Sequence, residues 1–133
     1  MMITTKGRNA LKVMIDLAAH EGEGFISLAD IAERQKESLK YLEASAKQLS
    51  AAGLVISARG KNGGYKLARG ADDYTVAEIL LSGEGSLAPV HCLESGAIPC
   101  ENAETCQTLP LFKELDEVIM NFLNSKTLKD LIK

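Results

Sequence analysis

Between residues 53 and 68 the spacing of apolar residues changes, and that change constrains the fold more than any other feature of the chain. Before Gly53 the apolar residues recur at helical intervals. After it, Leu54-Val55-Ile56-Ser57 and Tyr65-Lys66-Leu67-Ala68 have the branched and aromatic make-up of two short strands. They are separated by Ala58-Arg59-Gly60-Lys61-Asn62-Gly63-Gly64, whose glycines admit the positive φ that a hairpin loop needs.

Three helical segments precede this hairpin. The first is predicted over residues 6–19, capped by Thr4 or Thr5, with Leu11, Met14, Ile15 and Ala18 facing inward and Gly22-Glu23-Gly24 ending it. Ser27 caps the second, with Asp30 as its capping-box partner and Leu28, Ile31 and Ala32 on the buried face. After a brief turn at 35–37, Ser38 caps the third, over residues 39–52. Leu42, Ala46 and Leu49 point inward there, and Gly53 closes its C-terminus. Three helices followed by a hairpin is the order of a winged helix-turn-helix, and the short gap between the second and third helices matches its corner. The expected fold is mainly α with a small β-hairpin wing, followed by a long dimerisation helix.

Thr75 caps a fourth helix over residues 76–81, and residues 83–109 then form a stretch rich in Gly, Ser, Pro and Cys with little periodicity. A loop of that length in a compact domain usually has a function. Beyond it Leu111, Leu115, Val118 and Phe122 recur at 4-3-4 spacing, the rhythm of a helix–helix seam, and Phe112, Ile119 and Leu123 widen the stripe. Thr127 caps a short terminal turn containing Leu128, Leu131 and Ile132. Three regions follow: a DNA-binding unit at 1–82, a cysteine-containing sensor loop at 83–109, and a dimerisation helix with the terminal turn at 110–133.

Charge is divided along the 133 residues. The first 70 hold eleven Lys/Arg against seven Asp/Glu, and the remaining 63 hold four against eleven. A basic front half joined to an acidic back half suits a chain that meets a polyanion with one half only. No apolar run approaches the roughly 20 residues of a membrane span, and the start of the chain lacks a signal-peptide core. A cytosolic location without membrane partners is expected.

In a helix-turn-helix the second helix of the pair enters the major groove. Here that helix presents Ser38, Lys40, Tyr41, Glu43, Ala44 and Lys47 outward. Lys40 and Lys47 suit phosphate or guanine, and Glu43 suits the amino group of a cytosine. Arg59 and Lys61 sit at the hairpin tip, where a thin cationic loop fits a minor groove or the flanking backbone. The glycines at 60–64 do not precede a helix, so they are no phosphate loop. No nucleophile–base constellation is evident, and an enzyme is not expected. His20 is read as a surface residue at the end of the first helix.

The three cysteines, Cys92, Cys100 and Cys106, all fall in the loop. In a reducing compartment such clustering points to a metal site or a redox sensor rather than to a disulfide framework. Three thiolates within 15 residues could hold an iron–sulfur cluster, could bind zinc with one further N or O ligand, or could act directly as an oxidation switch; the alternative to a cluster is a metal-free winged helix that regulates through its thiols or through a protein partner.

The chain resembles the IscR/NsrR/CymR-type winged-helix regulators of bacteria over nearly its whole length. The resemblance lies in Thr4-Thr5-Lys6-Gly7-Arg8, in Ser27-Leu28-Ala29-Asp30-Ile31-Ala32-Glu33-Arg34-Gln35 and in Tyr41-Leu42-Glu43. It is most specific in the segment running from Gly53-Leu54-Val55 through Arg59-Gly60-Lys61-Asn62-Gly63-Gly64-Tyr65 to Ala68. It implies a homodimer, joined through the long helix at Leu111, Leu115, Val118 and Phe122, that binds a pseudo-palindromic operator in double-stranded DNA. The cysteine triplet places the chain in the branch of that family that binds an iron–sulfur cluster, with 2Fe–2S favoured over 4Fe–4S. Departures accompany it, one being a first cysteine gap of seven residues, slightly longer than is typical of the best-known members. Asn9 stands where the family usually has an aromatic residue, and Leu109 and Arg8 occupy the positions of the two fourth ligands that members use. The fourth position is thereby left to Glu101, Glu104, His91, a partner-subunit residue or an exogenous molecule.

Overall fold

The computed structural model describes residues 3–94, 102 and 104–132. Its elements run α1 (Thr5–Ala19), α2 (Leu28–Gln35), α3 (Leu39–Ala51), β1 (Val55–Ala58), β2 (Gly64–Leu67), α4 (Val76–Glu84) and α5 (Leu109–Ser125), with single 3-10 turns at Ala71–Asp73, His91–Leu93 and Lys129–Leu131. This is the mainly helical, winged architecture the period change predicts.

Local chemistry sets most boundaries. Thr4 caps α1 by accepting from the Lys6 amide, Ser27 accepts from Asp30 N, and Thr75 accepts from Glu78 N. Ser38 occupies the cap position of α3, but its hydroxyl makes no capping bond. α3 closes with Leu54 N donating to Leu49 O at 2.9 Å and Gly53 N donating to Ser50 O at 3.0 Å. That pair is a Schellman motif, and the two leucines it joins are both buried.

The strands lie one residue away from their expected positions, 55–58 against 54–57 and 64–67 against 65–68. Leu54 is drawn into the closure of α3, so the ladder starts at Val55, which pairs with Leu67, while Ser57 pairs with Tyr65. Ile26 adds a third edge through two backbone bonds with Tyr65. Gly64 lies under this crossing at φ +149, and a Cβ there would sit 2.2 Å from the Ile26 carbonyl oxygen.

α1 is the central helix. Its interior face is Ala10, Val13, Met14, Leu17 and Ala18, whereas Leu11 and Ile15, expected inside, are only partly buried at its flank. α3 and α4 both pack on α1, so the buried arc is wider than the predicted stripe and is rotated from it. α4 extends to Glu84, three residues past its expected end, because Gly83 lets it cross α1 closely: a Cβ there would lie 3.0 Å from Lys6 O. At the crossing the Glu84 carboxylate accepts from the Thr4 hydroxyl at 2.6 Å and from the Thr4 amide.

Tyr74 is completely buried and ties the hairpin to the helices. Its hydroxyl donates to Leu54 O at 2.7 Å and accepts from the amides of Ala68 and Arg69, each at 2.9 Å. The C-terminal segment returns to the same body: Leu128 is buried in the main core, and Met120, Leu123 and Leu131 cover Val76, Leu80 and Leu87. Thr127 and Asp130 cap the last turn reciprocally. No described helix is long and apolar enough to cross a membrane.

Candidate functional site

The end of α2, from which the chain turns into the third helix, is fixed to α1 by a group that sequence reasoning did not single out. Asp16, on α1 and 2% exposed, accepts from Arg34 Nε at 3.0 Å, Arg34 Nη2 at 2.7 Å and Gln35 Nε2 at 3.2 Å. The paired carboxylate holds the Arg34 guanidinium pKa above its ordinary value, against a smaller opposing effect of burial. His20 caps α1 and is half-buried beside the same group, its Nδ1 2.9 Å from Asp16 O. Lys36 then turns the chain into α3 from the left-handed region, at φ 55 and ψ 45. The Glu37 carboxylate next to it pairs with Lys12 of α1. An aspartate inside an otherwise apolar helical stretch, with an arginine at the end of the following helix, is the signal that could have revealed this clamp.

With α3 so held, Ser38, Lys40, Tyr41, Glu43, Ala44 and Lys47 are all exposed. Tyr41 is 62% exposed, unusually open for an aromatic ring. Arg59 and Lys61 are exposed on the hairpin. The fold brings Lys47 and Arg59 to opposite walls of one groove of about 500 Å³ between the last turns of α3 and the wing. Ser50 and Ser57 line it too. Neither hydroxyl stood out in the sequence, because the pairing of wing and helix is a tertiary fact.

The cysteine region is described in part. Cys92 lies in the 3-10 turn His91–Leu93 and is exposed, with the His91 ring beside it turned to Glu94 at 3.0 Å. Cys106 is half-buried two residues before Thr108, the cap of α5. Its Sγ lies 3.4 Å from the Thr108 hydroxyl, and that bond, with the amides of Thr108 and Leu109, holds the thiol pKa below the ordinary range. Leu109, the position matching one expected fourth ligand, is the first residue of α5. Cys100 and the candidate ligand Glu101 lie outside the described residues. Among the described residues no three His, Cys, Asp or Glu side chains converge as a metal site. Cys92 and Cys106 are free thiols, so their donor chemistry fits thiolate ligation.

Leu111, Leu115, Val118 and Phe122 form one stripe on α5 and are 60%, 41%, 64% and 58% exposed. Such a row of large apolar side chains on one helix face exceeds what isolated surface residues produce.

Known proteins are similar to this chain over its full length. HTH-type transcriptional regulator IscR of Erwinia tasmaniensis is 42% identical over 132 residues, which is 99% of this chain and 79% of that protein. IscR of Xenorhabdus nematophila is 42% identical over 133 residues, all of this chain and 80% of that one. Among solved structures, CymR, the global cysteine regulator of B. subtilis, aligns with a TM-score of 0.79 at 38% identity, covering 98% of this chain and 95% of its own. T. potens IscR aligns with a TM-score of 0.74 at 37% identity, covering 98% and 85%. The Rrf2 family model, described as an iron-dependent transcriptional regulator, matches residues 3–133. The chain therefore belongs to the Rrf2 family of transcriptional regulators.

Proposed function

We propose that the chain is a cytoplasmic, homodimeric DNA-binding regulator whose operator affinity is set by an iron–sulfur cluster held by Cys92, Cys100 and Cys106. The observation that carries this reading is the position of Cys106. Its acidified thiol stands at the start of α5, and α5 bears the bare apolar stripe. A change at the thiol therefore acts directly on the helix that a partner copy would cover.

In this reading residues 1–82 meet DNA. Lys40, Lys47, Arg59 and Lys61 neutralise phosphates, and the groove between Lys47 and Arg59 seats one backbone strand. Ser38 lies at the α3 N-terminus, where free amides favour a phosphate. Tyr41 and Ala44 offer apolar contact to bases, and Glu43 accepts from a cytosine amino group. The stripe of Leu111, Leu115, Val118 and Phe122 pairs two copies and sets the spacing of two recognition helices over a pseudo-palindromic site. The bound cluster, 2Fe–2S in this proposal, supplies sensitivity to iron supply and oxidation. The Thr108 hydroxyl and the first amides of α5 favour the thiolate form of Cys106, the form that ligation needs. No enzymatic role is proposed.

A metal-free thiol switch is the second reading. It is favoured by the acidified Cys106 and by the likeness to Staphylococcus aureus CymR in an oxidised form, at TM-score 0.78 and 35% identity. Anaerobic reconstitution separates the two. The cluster reading expects absorbance near the 400 nm region, with iron and sulfide bound in equal amounts, and operator affinity that differs with and without the cluster. Replacing all three cysteines by alanine should remove both. Retained redox-dependent binding in protein free of iron and sulfide would sink the cluster and leave the thiol switch. Arg59→Ala should weaken binding evenly across sequences and lower the salt slope by about one.

A further inference from the structure

Among the described residues three polar side chains are more than nine-tenths buried: Asn9, Asp16 and Ser45. Asp16 is occupied by Arg34 and Gln35. The Asn9 amide and the Ser45 hydroxyl, each on a residue 3% exposed, have no hydrogen-bond partner among the described residues. Neither has a polar atom sealed away from solvent-sized space. The reason is that both line one cleft, of about 370 Å³, between the first turns of α1 and the middle of α3. Buried polar groups are ordinarily paired with protein or with water, so two that open on the same space offer hydrogen bonds to whatever occupies it.

The cleft has the features of a small-molecule site. Its volume lies in the range of such sites, and its walls are mostly carbon with a few polar groups. The Tyr41 ring and Ala44 form one side, and Gln48 adds a second amide. Lys6 contributes a cation that pairs with no carboxylate among the described residues. These groups select a flat apolar body for the Tyr41 ring, an anionic group for Lys6, and a hydroxyl for Asn9 and Ser45.

We propose that this cleft binds a small aromatic carboxylate that also bears a hydroxyl. The bound acid competes with DNA, because Tyr41 and Ala44 line both the cleft and the surface assigned to the major groove. The competition rests on the DNA-binding reading, whereas the binding does not.

The test uses the whole chain, labelled with nitrogen-15 and free of DNA, titrated with 4-hydroxybenzoate. Saturable shifts of the Asn9 and Gln48 side-chain amide signals are expected. Benzoate, which lacks the hydroxyl, should bind about fivefold more weakly. 4-Hydroxybenzamide, which lacks the charge, should also bind about fivefold more weakly. Asn9→Phe fills the cleft and should abolish the Gln48 shift, and Ala44→Leu narrows its mouth and serves, read at both amides, if the first variant does not fold. No saturable shift up to the solubility limit would mean that the cleft holds only water, and would overturn the proposal. Unchanged binding in both variants would put the acid elsewhere and overturn it equally. Affinity for a mixed-sequence duplex at low salt should fall along the same saturation curve. Binding of the acid without that fall removes the competition, and a chain that fails to bind the duplex removes the DNA reading while the amide shifts still stand or fall by themselves.

Discussion

α1 and α5 have similar lengths, 15 and 17 residues, and both show apolar residues at helical spacing, yet α1 buries eight residues and α5 none. The difference is one of neighbours. α1 is packed by α2, α3, α4 and the wing, so even its Asp16 and Asn9 are drawn inside. α5 leans on α4 along one edge, through Met120 and Leu123, and leaves Leu111, Leu115, Val118 and Phe122 uncovered. A hydrophobic stripe shows that a face is to be covered. It does not show whether the cover comes from the same chain.

Substitutions along the two helices sharpen this contrast. In α1, Met14→Ala removes a side chain with no exposed surface and should cost about 2–5 kcal/mol in chemical denaturation. A loss under 1 kcal/mol would mean that α1 is not the centre of the core. Asp16→Asn breaks a charge-assisted clamp. The Arg34 side chain is 39% exposed and can turn to water, so the expected cost is smaller, about 2 kcal/mol. Because Asp16 sets the angle of α2 under α3, DNA affinity should fall further than stability does, measured at a temperature where the variant is fully folded.

The same kind of change in α5 should behave differently. Leu111→Ala with Val118→Ala should shift unfolding of the isolated chain by no more than about 0.5 kcal/mol, while lowering the association seen by sedimentation. A large loss of stability at dilutions where only single chains exist would show that the stripe is covered from within. The smallest effect is expected at Asp130. Bonds from the Thr127 amide and hydroxyl hold its carboxyl pKa below the ordinary value. A lowered carboxyl pKa adds stability above the ordinary carboxylate range, and that contribution is lost as pH falls through the lowered value. Thr127→Val should return the Asp130 titration, followed by carboxyl NMR, towards the ordinary range.

Legibility in the sequence followed the range of the interactions. The caps at Ser27 and Thr75, the inward set Leu42, Ala46 and Leu49, and the hairpin around Gly60 were all visible, because each depends on contacts within a few residues. The buried face of α1 was only half visible. Leu11 and Ile15 are as apolar as Val13 and Leu17, and only the placement of α3 and α4 decides between them. Gly83, which the sequence reading placed in the loop at 83–109, is the residue that lets α4 continue past α1. In the candidate sites, the outward residues of α3 could be named from helical spacing alone. The groove joining Lys47 to Arg59 could not, and nor could the cleft on which Asn9 and Ser45 open, since each has walls from separate elements.

By itself the sequence determined the order of elements, the charge division, the wing and the cysteine grouping, since period, capping and composition act locally or by simple count. Only the tertiary structure decided that Asp16 clamps Arg34, that Tyr74 satisfies three backbone groups with one hydroxyl, and that the apolar stripe of α5 stays open while α1 is enclosed. Those outcomes depend on which surfaces meet across long stretches of chain, and residue spacing along one helix holds no record of its neighbours.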